Sequence, residues 1–289
     1  MLLKAVLNSA LDRLTAAGVG SPRMNAETLL MFTLSCDRAY LHAHPERKLT
    51  GDEQARYEEA IAQRALGVPA QYITGHQEFW GMDFLVSPAV LIPRPETEHV
   101  IETVLDLLND GGREPSPGAE LRIVDVGTGS GCIALALAKE LPQAEIHATD
   151  ISQAALEIAR ANAARLQLEN RVHFCAADLL DGLEINGFDF VISNPPYVGE
   201  SEADQVQLEV RKFEPRDAVF AGPTGLEVIE RLVPQAQTAL KPGGWLVMEI
   251  SGTIAGGVKH LLRDWQNVRI VNDLQGIPRV IAARHALHA

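Results

Sequence analysis

Cysteine, positive charge and long apolar stretches are scarce in this sequence, and each shortage excludes a class of protein. The 289 residues include three cysteines, Cys36, Cys132 and Cys175, which lie far apart and show no C-x-x-C spacing. An odd, unclustered set predicts buried free thiols in a reducing compartment. No apolar run is long enough to cross a bilayer, and the one in residues 1–10 is too short for the core of a signal peptide. We therefore expect a cytoplasmic protein with no membrane anchor.

Clustered metal ligands and basic runs are also missing. His42 and His44, spaced at i and i+2, would point to different faces of a helix, which predicts surface histidines and no metal site. Acidic residues outnumber basic ones by 38 to 25, giving a net charge of −13. Because nucleic acids are bound chiefly through lysine and arginine, direct nucleic-acid binding is not expected. A protein substrate or a basic partner fits this charge better.

Helical periodicity dominates the first part of the chain. Apolar residues recur at helical spacing across Leu3–Leu14. A second helix is predicted with Ser21 as its N-cap and Pro22 at its first helical position. Thr50 and Glu53 match a capping box that would open a third. These signals predict a small helical N-terminal domain.

From Leu121 onward, candidate strands alternate with amphipathic helical segments. The strands are Leu121–Val126, Glu145–Thr149, Arg171–Ala176, Phe188–Ser193, Gly244–Ile250, Val268–Val271 and Val280–Ala283. This alternation predicts an α/β fold with a doubly wound, mostly parallel sheet, which binds ligands at the carboxyl ends of its strands. Aromatic and β-branched residues around Gly81 predict a β-hairpin before it, and residues 113–119 form a Pro/Gly/Ser loop. We expect domains at 1–72 and 94–289, with the hairpin linker at 73–93.

A glycine-rich loop follows the first strand of the sheet and begins a helix. Its residues are Gly127, Thr128, Gly129, Ser130 and Gly131. Glycines let a ligand approach the backbone closely. A dinucleotide fingerprint would have its third glycine at Cys132, and a phosphate loop would need a lysine before Lys139. Asp125 precedes the loop, and Asp150 ends the next strand, where a carboxylate can accept hydrogen bonds from both ribose hydroxyls.

The loop and its acid resemble the first motif of Rossmann-like S-adenosyl-L-methionine methyltransferases, in which the loop packs against the methionine part of the cofactor. That resemblance implies S-adenosyl-L-methionine as the cofactor. It also places Asp178 and Leu179, at the end of the third strand, around the adenine. A surface acid beside a core leucine would explain the same pair, and the glycine turn alone would also suit a dinucleotide or a purely structural role.

The sequence Asn194-Pro195-Pro196-Tyr197 follows the fourth predicted strand. Prolines have no N–H and hold φ near about −65°, so the backbone is rigid and its carbonyls lack local partners. Asn194 Oδ1 and the Pro195 carbonyl can accept both hydrogens of a planar nitrogen and orient its lone pair. Catalysis would then come from orientation and acceptors, without a general base. Tyr197 would stack on the acceptor group or pack against the cofactor; the alternative is a simple rigid loop.

Across essentially the whole chain, the sequence resembles the release factor glutamine methyltransferases, the HemK or PrmC proteins. The discriminating segments are Gly75–Gly81 and Leu91–Glu98, with further similarity at Phe213–Pro215 and Gly222–Gly225. The resemblance implies methyl transfer to the side-chain amide of the glutamine in the Gly-Gly-Gln motif of class I peptide chain release factors, held by the helical domain. The substrate site would comprise Asn194, Pro195, Pro196, Tyr197 and Arg94, with Arg94 and Glu96 bracing its rim. An ion pair or a helix cap at Pro95 would explain Arg94 and Glu96 equally well.

Two departures from the family pattern and three rival functions accompany this resemblance. Leu179 stands where the family often has an aromatic residue, and Ser251-Gly252 follows Glu249 where it commonly has glycine and then glutamine. A ribosomal-protein glutamine methyltransferase would share the same motifs. A DNA adenine methyltransferase would share Asn-Pro-Pro-Tyr but must flip a base out of a polyanion. A noncatalytic binding module would share the fold. We expect a monomer.

Overall fold

The computed structural model describes residues 1–109, 121–183 and 187–286, and the predicted loop at 113–119 lies outside them. The helices are α1 Leu3–Ala16, α2 Pro22–Leu34, α3 Arg38–Ala43, α4 Gly51–Ala65, α5 Ala70–Thr74, α6 Glu98–Asn109, α7 Cys132–Glu140, α8 Gln153–Arg165, α9 Leu208–Phe213, α10 Arg216–Val219, α11 Glu227–Ala239 and α12 Ala255–Leu261. The strands are β1 His76–Phe79, β2 Met82–Leu85, β3 Arg122–Val126, β4 Glu145–Asp150, β5 Val172–Ala176, β6 Phe188–Ser193, β7 Val198–Gly199, β8 Phe220–Gly222, β9 Leu240–Glu249, β10 Gln266–Asn272 and β11 Pro278–Arg284.

Helices α1, α2 and α4 form the core of the first of two compact units. The predicted capping box is confirmed, because Thr50 Oγ1 accepts from Glu53 N at 3.2 Å and Glu53 Oε2 accepts from Thr50 N at 2.9 Å. Helix α2 does begin at Pro22, but the side-chain cap predicted at Ser21 is wrong: Ser21 has φ 47° and makes no capping bond. The Asn25 amide instead donates to the carbonyls of Gly20 and Ser21 and so fastens the start of the helix.

The first unit combines residues 1–76 with residues 207–213, and the second holds 77–206 and 214–289. The late segment carries α9. Arg64 NH2 lies 2.7 Å from Glu209 Oε2, while its Nε donates to Asn25 Oδ1 at 2.7 Å and its NH1 to the Val68 carbonyl at 3.0 Å. The buried guanidinium therefore ties α9 to α4 and α2 within one unit. The predicted domain limits at 72 and 93 stay predictions.

A seven-stranded sheet, ordered β10-β11-β9-β6-β3-β4-β5, forms the second unit. The five strands from β9 to β5 are parallel, and β10 and β11 run antiparallel at one edge. Ile123 packs with α6 and α7 on one face, while Val124 packs with α11 and α12 on the other. All seven predicted strands are present, and the predicted mostly parallel sheet with helices on both faces is confirmed.

The β1–β2 hairpin precedes the sheet, as predicted. Phe79, Met82 and Phe84 are buried in the core of the second unit. Sequence reasoning missed the small parallel sheet of β7 and β8, in which β7 directly follows the Asn-Pro-Pro-Tyr turn. Strands of two and three residues are too short to show a period-2 pattern.

The cysteine prediction is partly wrong. Cys132 is buried, but Cys36 is half-buried and Cys175 is exposed on the edge strand β5. In the described parts of the chain all three are free, and no group of three His, Cys, Asp or Glu residues could hold a metal ion. Among those same residues, no helix has both the length and the apolar character needed to cross a bilayer.

Candidate active site

A cavity of about 460 Å³ opens where β3, β4 and β6 end. Strand β3 lies between the other two, so the loop after it, Asp150 at the end of β4 and Asn194 after β6 meet at one edge of the sheet. The predicted site residues that line the cavity are Arg94, Gly127, Thr128, Gly129, Ser130, Asp150, Asp178, Leu179, Asn194 and Pro196. Gly131, Pro195 and Tyr197 were also predicted for the site but do not line the cavity.

The glycines of the loop are required for two different structural reasons. Gly127 and Gly129 have φ of 72° and 55°, and a Cβ built on either would meet no atom within 4 Å. Both positions therefore need glycine for the left-handed backbone, and their open side faces the cavity. At Gly131 (φ 83°), a Cβ would lie 3.2 Å from Ala159 and Leu135 side-chain atoms, so this glycine allows α7 to pack against α8.

Asp150 has its carboxylate held in place by the backbone. Its Oδ2 accepts from Gly129 N at 2.9 Å and its Oδ1 accepts from Ser152 N at 2.8 Å. Burial raises the pKa of Asp150, although these backbone N–H groups act against the rise. A carboxylate has about four acceptor positions, so these bonds leave Asp150 able to accept further hydrogen bonds. A carboxylate of this kind at the cavity wall fits a ligand that presents two hydroxyl groups, as a ribose does.

Asp125 lies fully buried behind the loop. Its Oδ2 accepts from Thr128 Oγ1 at 2.7 Å. Burial raises the pKa of Asp125 to about 7, and the hydrogen bond from Thr128 offsets only part of that effect. The Asp125 carboxyl therefore ionises near neutral pH.

Asp178, Leu179 and Ile151 also line the cavity. Asp178 forms an ion pair with Arg231 at 2.5 Å, and Arg231 also lines the cavity. Leu179 has φ 58°, and its carbonyl accepts from Thr149 Oγ1 at 2.8 Å. Ile151 is 71% exposed and presents an apolar surface to the cavity. An apolar wall beside a carboxylate suits a flat heterocycle with an amino group.

Asn194 takes part in a hydrogen-bond chain that sequence reasoning missed. Its Nδ2 donates to Thr97 Oγ1 at 3.2 Å, and Thr97 Oγ1 donates to Glu249 Oε2 at 2.6 Å. Tyr197 Oη donates to the other oxygen of Glu249 at 3.0 Å. Among the described residues, no donor bonds to Asn194 Oδ1. The amide oxygen is therefore available as an acceptor.

Glu249 ends β9, the strand beside β6, and is only 3% exposed. Burial raises its pKa, while the hydrogen bonds from Thr97 and Tyr197 lower it. Burial and the Glu249 carboxylate together raise the pKa of Tyr197, so its hydroxyl stays protonated. The sequence does show a carboxylate, Glu249, at the end of an apolar strand. Its proximity to Asn194 and Tyr197 follows only from the strand order, in which β9 lies beside β6.

Arg94 is fixed by a second buried carboxylate. It forms an ion pair with Glu214, whose other oxygen accepts from Ile92 N at 3.2 Å. Glu214 therefore holds the segment that carries Arg94 along the cavity wall. Glu96, which sequence reasoning placed at the rim, does not line the cavity.

Comparison with known proteins gives family matches for both parts of the chain. Residues 5–75 match the PrmC N-terminal domain and residues 114–212 match the methyltransferase small domain. The chain is 59% identical to the release factor glutamine methyltransferase of Koribacter versatilis, covering 98% of this chain and 99% of the relative. It is 42% identical to the protein of the same name from Moorella thermoacetica, covering 98% of each.

Solved structures agree on the fold. The hMettl16 catalytic domain in complex with MAT2A 3'UTR hairpin 6 has a TM-score of 0.55 and 18% identity, covering 82% of each chain. The N-terminal domain of human METTL16 in complex with SAH has a TM-score of 0.51 and 17% identity, covering 90% of this chain and 94% of that one. With near-complete coverage by relatives of high identity, the chain belongs to the release factor glutamine methyltransferase family.

Proposed function

We propose that this protein transfers a methyl group from S-adenosyl-L-methionine to the side-chain amide nitrogen of the glutamine in the Gly-Gly-Gln motif of class I peptide chain release factors. The observation that carries the proposal is the half-buried Asn194. Its Nδ2 is bonded to Thr97, and its Oδ1 is left available beside the loop and Asp150. Membership in the family supplies the substrate class.

The residues around the cavity fit the cofactor. The loop residues 127–130 would lie along its methionine part, the Asp150 oxygens would accept from its ribose hydroxyls, and Asp178 and Leu179 would flank its adenine. When bound, the cofactor supplies a methyl group on a positively charged sulfur and leaves as S-adenosyl-L-homocysteine. The chain's own contribution is to hold the acceptor nitrogen in line with that group.

Asn194 and Pro195 would bind the glutamine amide. An amide N–H₂ has two hydrogens, which Asn194 Oδ1 and the Pro195 carbonyl can each accept. The nitrogen gains positive charge as its new bond forms, so both acceptors would bind the transition state more strongly than the ground state. One of its two N–H protons then passes to solvent, which leaves a neutral methylated amide. Pro196 and Arg94 line the cavity that the glutamine would enter, and Glu214 holds Arg94 there by an ion pair. Tyr197 fixes the turn through its hydrogen bond to Glu249.

We also propose that the protein acts in the cytoplasm as a monomer, and that it meets its partner by protein contacts without binding nucleic acid directly. The net charge of −13 supports the choice of partner, because an acidic protein attracts a partner with basic patches and repels polyanions.

The test is methyl transfer from labelled cofactor to a purified release factor, with a second release factor carrying Ala in place of the motif glutamine. We expect label only in the first, and Asn194→Ala should lower kcat about 100-fold or more while cofactor affinity changes little. Label in both release factors, or wild-type turnover in N194A, would contradict the proposal. A parallel reaction with ribosomal proteins or duplex DNA in place of the release factor separates the rival substrates.

A further inference from the structure

An asparagine amide can face a site in two orientations, and only one of them presents an acceptor. Nitrogen and oxygen have nearly the same shape, so packing alone does not choose between them. For Asn194 the choice decides whether the cavity contains an acceptor or a donor. A donor facing the substrate nitrogen would oppose its N–H groups.

The proton count along the chain of hydrogen bonds makes that choice. An ionised carboxylate only accepts, so Thr97 must use its single hydroxyl proton on Glu249 Oε2, at 2.6 Å. Tyr197 uses its own proton on Oε1, at 3.0 Å. Thr97 Oγ1 then has only lone pairs left for Asn194, 3.2 Å away, and the atom facing it must be the N–H₂.

The hydrogen bonds to Glu249 favour its ionised form. Burial raises the pKa of Glu249, the hydrogen bonds from Thr97 and Tyr197 lower it, and the nearby charges of Glu96 and Arg279 act in opposite directions. The two hydroxyl donors also stabilise the charge, since a buried carboxylate without hydrogen bonds is costly. Thr97 is itself only 2% exposed, so water does not compete for its hydroxyl.

We propose that Thr97 is a positioning residue which, oriented by Glu249, holds the amide of Asn194 with its oxygen toward the substrate. The proposal rests on the proposed function, in which Asn194 Oδ1 accepts from the glutamine amide. Thr97 lines the cavity and Glu249 does not, and the proposal has both residues act on the reaction through Asn194. Loss of the Thr97 hydroxyl leaves the amide free to turn over and lowers the fraction of enzyme that presents an acceptor.

The experiment replaces the hydroxyl by a methyl group of the same shape. We expect Thr97→Val to lower kcat about 100-fold, with KM for the cofactor and the Kd for S-adenosylhomocysteine within about threefold of wild type. Thr97→Ser restores the hydroxyl and should recover most of kcat. Thr103→Val is the matched control: Thr103 is a buried threonine on α6 whose Oγ1 donates to the His99 carbonyl at 2.7 Å, and its loss should leave kcat near wild type.

Glu249→Gln gives a second measurement that does not depend on the folding of T97V. A glutamine amide can donate to Thr97, which frees the Thr97 proton for Asn194 and permits the reversed orientation. We expect kcat to fall while the Kd for S-adenosylhomocysteine holds. Wild-type kcat in either folded variant overturns the role of Thr97. N194A in the same assay distinguishes failure of the Thr97 proposal from failure of the proposed function, because wild-type turnover in N194A would overturn the proposed function itself.

Discussion

Among single residues, Asp125 is fully buried behind the glycine loop, and its ionisation should affect the stability of the fold. The pKa of its buried carboxyl is raised from an ordinary value of 3.8 to about 7. Because the folded pKa exceeds the unfolded one, the stabilising effect of the protonated form is present below pH 4 and is lost as pH rises through 7. The protein without cofactor should therefore lose stability between pH 4 and pH 7.

Asp125→Asn removes this titration while keeping the shape of the side chain. Denaturant unfolding at several pH values should show the variant gaining stability relative to wild type as pH rises from about 5 to about 8. Subtracting the two curves cancels the titration of the buried Glu249, whose pKa is also raised. The difference that remains contains Asp125 together with its charge interaction with Asp150. The exposed, ion-paired Asp83→Asn serves as control. A pH-independent difference between wild type and D125N would show that Asp125 does not titrate in this range.

The sequence predicted the cavity residues that directly follow strands, but it did not predict the residues that hydrogen-bond to them. The loop after β3, Asp150 and Asn194 each follow an apolar run, so local pattern was sufficient. Thr97 and Glu249 depend on which strand neighbours β6, and that order is set by tertiary packing. Cys175 is exposed because β5 is the edge strand, a fact that three isolated cysteines in a sequence cannot reveal.

Among the elements, the turn from β3 into α7 serves both ligand binding and helix packing. Gly129 belongs to the first role and Gly131 to the second. Gly129→Ala places a methyl group in the cavity and strains the backbone by about 1 kcal/mol. We expect the Kd for S-adenosylhomocysteine to rise about tenfold or more with a modest loss of stability.

Gly131→Ala should show the opposite balance. Its Cβ would press on Ala159 and Leu135 between α7 and α8, costing about 1–3 kcal/mol of stability in addition to the strain. Calorimetric titration and denaturant unfolding of both variants measure the two effects. Equal losses of affinity and stability in G129A and G131A would contradict this division of roles.

For the whole chain, the net charge of −13 predicts how it meets its substrate. Attraction between an acidic enzyme and basic patches is screened by salt. Raising salt from about 0.05 M to about 0.3 M should increase KM for the release factor several-fold. The Kd for S-adenosylhomocysteine, whose binding is local, should change little and serves as the control. A salt-independent KM would remove charge as a reason for partner choice.

The membership of α9 in the first unit restricts how this protein can be divided. A fragment ending at residue 76 contains every helix before the hairpin but lacks residues 207–213. Its Arg64 would lose the carboxylate of Glu209 while remaining surrounded by protein. The first unit is therefore completed only after the ribosome has synthesised nearly three-quarters of the 289 residues. Proteolysis near residue 210 would destabilise a unit whose other residues all lie within 1–76 of the sequence.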